Sequence, residues 1–210
     1  MLTLYDYLPS QNGWKVRVLL GLLGIRYRTQ PVSIFEGEGQ TEAFLARSPM
    51  GAVPALELED GRALAESNAI LAYIAEGTRF LPAERYRRAK VMQWLFFEQY
   101  YVEPVIGSLR FWTLTGRLAQ RPAAVIEEKR QTGARALSAL ERALGAGRFL
   151  AGEDLTIADI AVYAYAHRAE DAGFALGEYP AVASWIGRVA GAIGPGYPVH
   201  PYDIDPHSGG

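Results

Sequence analysis

The chain has no cysteine, and that absence removes disulfide frameworks, thiolate metal sites, iron–sulfur clusters, CxxC redox chemistry and any thiol nucleophile of the protein's own. Sulfur chemistry here requires a thiol borrowed from a bound molecule. Histidine is scarce as well. His167, His200 and His207 are scattered, two of them in a Pro-rich tail, so neither a zinc site nor a histidine-centred triad is expected, and each is read as structural or solvent-facing. No long hydrophobic run is present: the longest, Val18 to Ile25, falls far short of the roughly 18 residues a spanning helix needs. The first six residues, Met1 to Asp6, lack the basic start and apolar stretch of a signal peptide, so the expectation is a soluble cytoplasmic protein. Charge of one sign is also missing. With 21 Lys and Arg against 23 Asp and Glu, the net charge of −2 supplies no broad basic face, and neither nucleic acid nor membrane is expected as a partner.

What is there is core material. Half of the 210 residues are hydrophobic, with 12 Tyr, 8 Phe and 4 Trp, enough for one sizeable domain or two small ones. The first 77 residues change character quickly. Leu2 to Tyr5 reads as a short strand, and Pro9-Ser10-Gln11-Asn12-Gly13 turns into an apolar helical run, Val16 to Leu23, that Gly24 ends. Tyr27 to Val32 is an imperfectly alternating second strand, and Thr41 to Arg47 a short helix closed by Ser48-Pro49. Ala55 to Glu59, the hairpin dipeptide Asp60-Gly61 and Arg62 to Ala65 read as a β-hairpin. Ser67 is expected to cap a helix whose Ile70, Leu71 and Ile74 share a face. The order is β-α-β-α-β-β-α.

Beyond a linker at 78–84, residues 85–210 read as an all-helical domain with a Pro-rich tail. A long helix carries Trp94, Phe96, Phe97, Tyr100 and Tyr101, with a kink expected at Pro104 before Ile106 to Leu114. So many aromatics on neighbouring positions cannot all face one core; the helix is either buried on several sides or lines an interface or pocket. Pro122 opens another helix with Leu137, Leu140 and Leu144 in register, and Thr156-Ile157-Ala158-Asp159 is a capping-box pattern. Pro180 to Ala192 gives the last helix, followed by Pro195, Pro198, Pro201 and Pro206 in an extended tail.

Three motifs fall in order along this framework: Ser48-Pro49-Met50-Gly51-Ala52-Val53-Pro54-Ala55-Leu56, Ala65-Glu66-Ser67-Asn68-Ala69-Ile70, and Thr156 to Asp159. Together with a β-α-β-α-β-β-α unit preceding a helical one, they resemble the cytosolic glutathione transferases over essentially residues 1 to 192. The resemblance implies a fold of α/β plus all-α type, a thioredoxin-like domain at 1–77 followed by an all-helical domain. Leu4-Tyr5 followed by Pro9-Ser10-Gln11-Asn12-Gly13-Trp14-Lys15-Val16 is similar to the bacterial nu class, including its disulfide-bond oxidoreductases. There a Thr or Ser and an Asn two positions later surround the glutathione sulfur, which here implies Ser10 and Asn12 as the catalytic pair. Tyr5, in the strand, is a minor candidate, and the lack of cysteine excludes the cysteine-type classes.

The remaining roles come from the same resemblance. Asn12, Gln40, Val53, Pro54, Glu66 and Ser67 are the glutathione-binding residues, Val53 through its backbone beside a cis Pro54, Ser67 and Glu66 at the γ-glutamyl end, and Gln40 at the glycyl end. Tyr100, Tyr101, Phe111 and Trp112 are the expected electrophile pocket. Glutathione is the co-substrate, no metal is expected, and a homodimer is implied.

The residues support this chemistry on their own terms, because a helix amino-terminus carries unpaired N–H groups and partial positive charge that stabilise a thiolate. Each motif also has an ordinary reading. Ser10 and Asn12 are common caps, Val53-Pro54 suits the start of a strand, Glu66-Ser67 is a sound helix cap, Gln40 sits in a Gly-rich loop, and any single aromatic suits a core. Lys15 and Arg17 read as the polar side of helix one. The capping box is assigned to folding. The leading function is a glutathione transferase that activates the glutathione thiolate against a small hydrophobic electrophile in detoxification, or against a disulfide. The alternatives are a non-catalytic binding or regulatory protein of the same fold and a carrier of hydrophobic ligands.

Overall fold

A computed structural model describes residues 1–209, which divide into two units: Met1–Glu76 together with Gly196–Ser208, and the stretch from Gly77 to Pro195. The first unit contains β1 (Leu2–Asp6), α1 (Gln11–Leu22), β2 (Tyr27–Pro31), α2 (Glu42–Leu45), β3 (Ala55–Glu57), β4 (Ala63–Leu64) and α3 (Ser67–Ala75), the expected element order. Its sheet runs β2-β1-β3-β4. β1 and β2 are parallel, Leu2 opposite Tyr27 and Asp6 opposite Pro31, whereas β3 runs antiparallel to both β1 and β4. A parallel pair needs a crossover, and α1 provides it.

Alternation along β1 decides what each face does. Leu4 and Asp6 share a face; Leu4 is fully buried in a core with Val16, Leu19 and Leu20 of α1 and Ile70 and Leu71 of α3, each such side chain contributing about 1.5–3 kcal/mol of burial. Tyr5 points the other way. It packs with Phe44 of α2, ring centroids 5.9 Å apart, beside Val32 and Ala55, and its hydroxyl donates to Glu57 at 3.2 Å. That contact makes Tyr5 a packing residue.

The Pro-rich tail belongs to this unit, although the sequence reading appended it to the helical stretch. Two contacts explain the difference: the Trp14 indole N–H donates to the Tyr197 carbonyl at 3.0 Å, and the Tyr197 ring lies where any side chain at Gly21 would collide with it.

The second unit contains α4 (Arg85–Phe97), a π-helical segment (Glu98–Gly107), α5 (Ser108–Leu114), α6 (Ala123–Leu144), α7 (Ile157–Ala166) and α8 (Pro180–Ile193). In place of the kink expected at Pro104, the helix widens for ten residues around the proline and then resumes as α5. Proline lacks the N–H that an α-helix needs and crowds the carbonyl one turn earlier; a wider turn relieves both. The Pro104 carbonyl instead accepts the Ser108 hydroxyl at 2.7 Å and the Lys129 ammonium at 2.5 Å. No helix among the described residues is long and apolar enough to cross a membrane.

All ten residues of α7 are buried, its small Ala158, Ala161 and Ala164 packing among α4, the π-helical segment and α8. Its capping box is complete. Asp159 Oδ2 accepts the Thr156 N–H at 3.0 Å, and Oδ1 accepts the Leu150 N–H at 2.8 Å and the Trp185 indole N–H at 3.0 Å. Burial pushes the Asp159 carboxyl up, while these donors pull it back. One carboxylate thus ties α7 to α8 and to the preceding loop. His167, at the end of α7, stacks on Tyr163 at 4.3 Å, and burial pushes it down to about 4, consistent with a structural histidine.

Replacing Asp159 with Ala leaves three buried N–H donors without their acceptor, and urea unfolding is expected to show a loss of about 3 kcal/mol or more. A loss under about 1 kcal/mol, the worth of an ordinary exposed cap, contradicts this organising role.

Candidate active site

The carboxyl end of β1 leads into the loop Tyr7–Ser10, and ligands of open α/β sheets gather at such strand ends. Asp6, the last residue of β1, is fully buried and paired with the Arg17 guanidinium, whose second nitrogen donates to the Leu8 carbonyl at 2.9 Å. Burial pushes the Asp6 carboxyl up and Arg17 draws it back down. The Ser10 N–H closes the turn onto the Tyr7 carbonyl at 2.8 Å. Arg17 and Lys15, read from sequence as a polar helix face, are respectively paired inward and fully buried. The signal available was the position of Asp6, two residues after Leu4 and hence on the inward face of β1.

Ser10 is the N-cap of α1, its hydroxyl oxygen accepting the Gly13 N–H at 3.3 Å. A hydroxyl that accepts through a lone pair still has its proton to give, so capping and donation to an anion are compatible. Asn12 lies one residue inside the helix. The Ser67 hydroxyl donates to Asn12 Oδ1 at 3.3 Å across 55 residues of chain, which turns the Asn12 amide N–H pair to other acceptors. This contact joins the amino-terminal ends of α1 and α3.

At α3 the expected cap shifts by one residue. Glu66 occupies the N-cap and Ser67 is the first helical residue. Glu66 makes no side-chain capping bond, and it is the one non-glycine with positive φ (64°) among the described residues. A left-handed glutamate costs on the order of 1–3 kcal/mol, and such outliers concentrate at functional sites. The Glu66 carboxylate is exposed at the amino end of α3, and the next residue, Ser67, makes the contact to Asn12.

The Val53–Pro54 peptide is cis. The turn before it is held by the buried Ser48, whose hydroxyl donates to the Ala52 carbonyl at 2.8 Å and accepts the Ala52 N–H at 3.1 Å. Val53 is half-buried, and no hydrogen bond among the described residues uses its backbone N–H or C=O. Gln40 is exposed and lies against Gly51, so close that a Cβ there would strike its amide, while Gly39 and Gly51 bring their backbones together where neither tolerates a side chain. Gln40 therefore sits next to the cis-proline turn.

Tyr100, Tyr101, Phe111 and Trp112, the expected electrophile pocket, do not share one wall. Trp94, Phe97, Tyr101 and Tyr100 form a ladder of rings 5.1, 5.4 and 4.7 Å apart, and a depression of about 530 Å³ lined by Phe96, Phe97, Tyr100 and Tyr101 includes neither Phe111 nor Trp112. Trp112 lies under Arg121 and Lys129, and Phe111 under Arg117. Among the described residues no group of three or more His, Asp or Glu is placed to hold a metal ion.

Residues 9–76 match the family model for the glutathione S-transferase N-terminal domain, and residues 123–188 that for the C-terminal domain. The maleylacetoacetate isomerase of Rhizobium meliloti (strain 1021) is 31% identical over 194 residues, covering 90% of this chain and 91% of its own. The disulfide-bond oxidoreductase YfcG of Escherichia coli (strain K12) is 31% identical over 196 residues, with 90% of each chain covered. Among solved structures, a glutathione S-transferase from Pseudomonas fluorescens Pf-5 is 43% identical with a TM-score of 0.87, covering 97% of this chain and 99% of that one. A second family member from the same organism, with two glutathione bound, is 28% identical with a TM-score of 0.79 over 90% of this chain and 88% of that one. The chain belongs to the glutathione S-transferase family.

Replacing Glu66 with Gly removes the left-handed strain, and the thermal unfolding midpoint is expected to rise by an amount equivalent to about 1 kcal/mol, net of the added freedom of the unfolded chain. An unchanged or lower midpoint contradicts strain at this corner.

Proposed function

We propose that the protein is a glutathione transferase that binds glutathione along the edge formed by Gln40, Val53, Pro54, Glu66 and Ser67 and ionises its thiol beside Ser10 and Asn12. The observation that carries this reading is the Ser67 to Asn12 hydrogen bond, because it makes one site of two helix amino-termini. Two partial positive charges then converge on a ligand that has a carboxylate at one end and a thiolate at the other. The Ser10 hydroxyl and the Asn12 amide donate to the sulfur, and neither has to act as a base. The unpaired N–H and C=O of Val53 pair with the cysteinyl backbone like an added strand.

The activated thiolate attacks an electrophilic carbon of a small hydrophobic molecule and expels its leaving group, a detoxifying conjugation. It also attacks a disulfide: one glutathione forms a mixed disulfide and releases a thiolate, and a second glutathione attacks the glutathione sulfur of that mixed disulfide, yielding oxidised glutathione and releasing the second thiolate. This route asks nothing of a protein cysteine, and the chain has none. The name of the Escherichia coli relative and the two glutathione in the Pseudomonas structure support it. We further assign the protein to the cytoplasm, in keeping with its family, and to a homodimer, supported by the exposed Phe96 and Tyr100, with the aromatic ladder and Phe111 and Trp112 on the helices that receive the electrophile.

The test is a paired assay of glutathione conjugation to an aryl halide and of reduction of a small hydroxyalkyl disulfide, with Ser10→Ala and Asn12→Ala alongside. Disulfide reduction exceeding conjugation and falling by about tenfold or more in the Asn12 variant is expected, the loss of one charge-assisted hydrogen bond in the transition state. Glutathione binding without either reaction contradicts the enzyme reading and favours the non-catalytic one.

A further inference from the structure

The first unit bears an open cavity of about 510 Å³ that uses none of the residues assigned to glutathione. Its volume falls within the range of small-molecule sites. Tyr7, Leu8 and Pro9 form one side, Pro31 and Val32 from the end of β2 another, and the tail closes it with Ile204 and Pro206. The apolar wall suits an apolar body. The polar groups on it are unevenly signed: Asp6, Glu36 and Asp205 are acidic, and His207 is the single basic side chain.

Two of the three acids are already answered. Asp6 is paired with Arg17, and Glu36 faces His207 at 3.3 Å. Asp205 is different. It accepts the His207 backbone N–H at 2.9 Å and lies 3.5 Å from the Ser33 hydroxyl, and no cationic side chain among the described residues pairs with it. Beside it stands Tyr7, only 6% exposed, its hydroxyl oxygen without a hydrogen-bond partner of sound geometry among the described residues. Burial, and then the neighbouring Asp205, push the Tyr7 phenol up, so it stays neutral. The Tyr202 ring packs against that of Tyr7 at 6.3 Å, behind the cavity wall.

We propose that the C-terminal tail completes a binding site on the first unit for an apolar molecule bearing a primary ammonium group, held by Asp205, Tyr7 and Ser33. An ammonium has three N–H donors, and the three oxygens are the acceptors it needs. The Asp205 carboxylate supplies the charge-assisted bond, the Tyr7 hydroxyl lies beside it, and the apolar wall covers the rest. An anionic ligand meets the surplus of carboxylates, and a neutral one forgoes the charge. The inference goes beyond the glutathione reading and does not require it. The chain still connects the two places, because Pro9 in the cavity wall precedes Ser10.

Isothermal titration of the full chain with phenethylammonium, phenethyl alcohol and phenylacetate, which share one apolar body, tests the site. The ammonium is expected to bind about tenfold or more tightly than the alcohol, with the carboxylate weakest. Asp205→Asn should bring ammonium and alcohol level, and Tyr7→Phe should weaken the ammonium several-fold. Equal binding of the three probes, no binding at all, or a preference that survives Asp205→Asn overturns the proposal. Glutathione titrated into the same proteins reads the other site separately. Glutathione binding with no ammonium preference removes this inference alone, and the converse result leaves it standing while the glutathione reading falls.

Discussion

The buried pair of Asp6 and Arg17 holds the junction between β1 and α1, on which the proposed site is built. Asp6 is fully buried at the end of the central strand, and Arg17 reaches it from the second turn of α1 while also holding the Leu8 carbonyl. One guanidinium therefore sets the distance from sheet to helix and the path of the loop between them. A buried carboxylate without its partner is strongly destabilising, so this geometry has little freedom to relax. Ser10, whose N–H closes the turn onto the Tyr7 carbonyl, ends that loop as the cap of α1.

A second helix end is brought to the same place. α1 packs on α3, and the Ser67 hydroxyl bridges to Asn12, so the two amino-termini share one polar surface. Glu66 holds a left-handed backbone there without capping the helix behind it. The Val53 backbone N–H and C=O beside the cis proline enter no hydrogen bond among the described residues.

Much of this was legible because the signals are local. The turn at Asp60-Gly61, the short strand from Leu2 to Tyr5 and the capping box of Thr156 and Asp159 each depend on neighbours within a few residues, and the structure has all three elements. What escaped depends on distance. The Asp6–Arg17 pair joins a strand to a helix, and nothing in the pattern around Lys15 and Arg17 distinguishes an inward cation from a solvated one until β1 is placed beneath them. The π-helical detour around Pro104 is one of several ways for a helix to absorb a proline, and the sequence favours a kink equally well. The tail has no periodicity to read. Its position follows from single contacts, Tyr197 to Trp14 and Asp205 to Ser33, that span most of the chain.

The central claim is that the amino end of α1 turns a bound thiol into a thiolate. Titrating the thiolate absorbance of glutathione bound to the protein against pH, for the native chain and for Ser10→Ala and Asn12→Ala, measures it directly. The account predicts that the bound thiol ionises about one unit or more below its free value of roughly 8.5, and that the Asn12 variant returns it toward that value. A bound thiol that titrates like free glutathione in all three proteins would contradict the account.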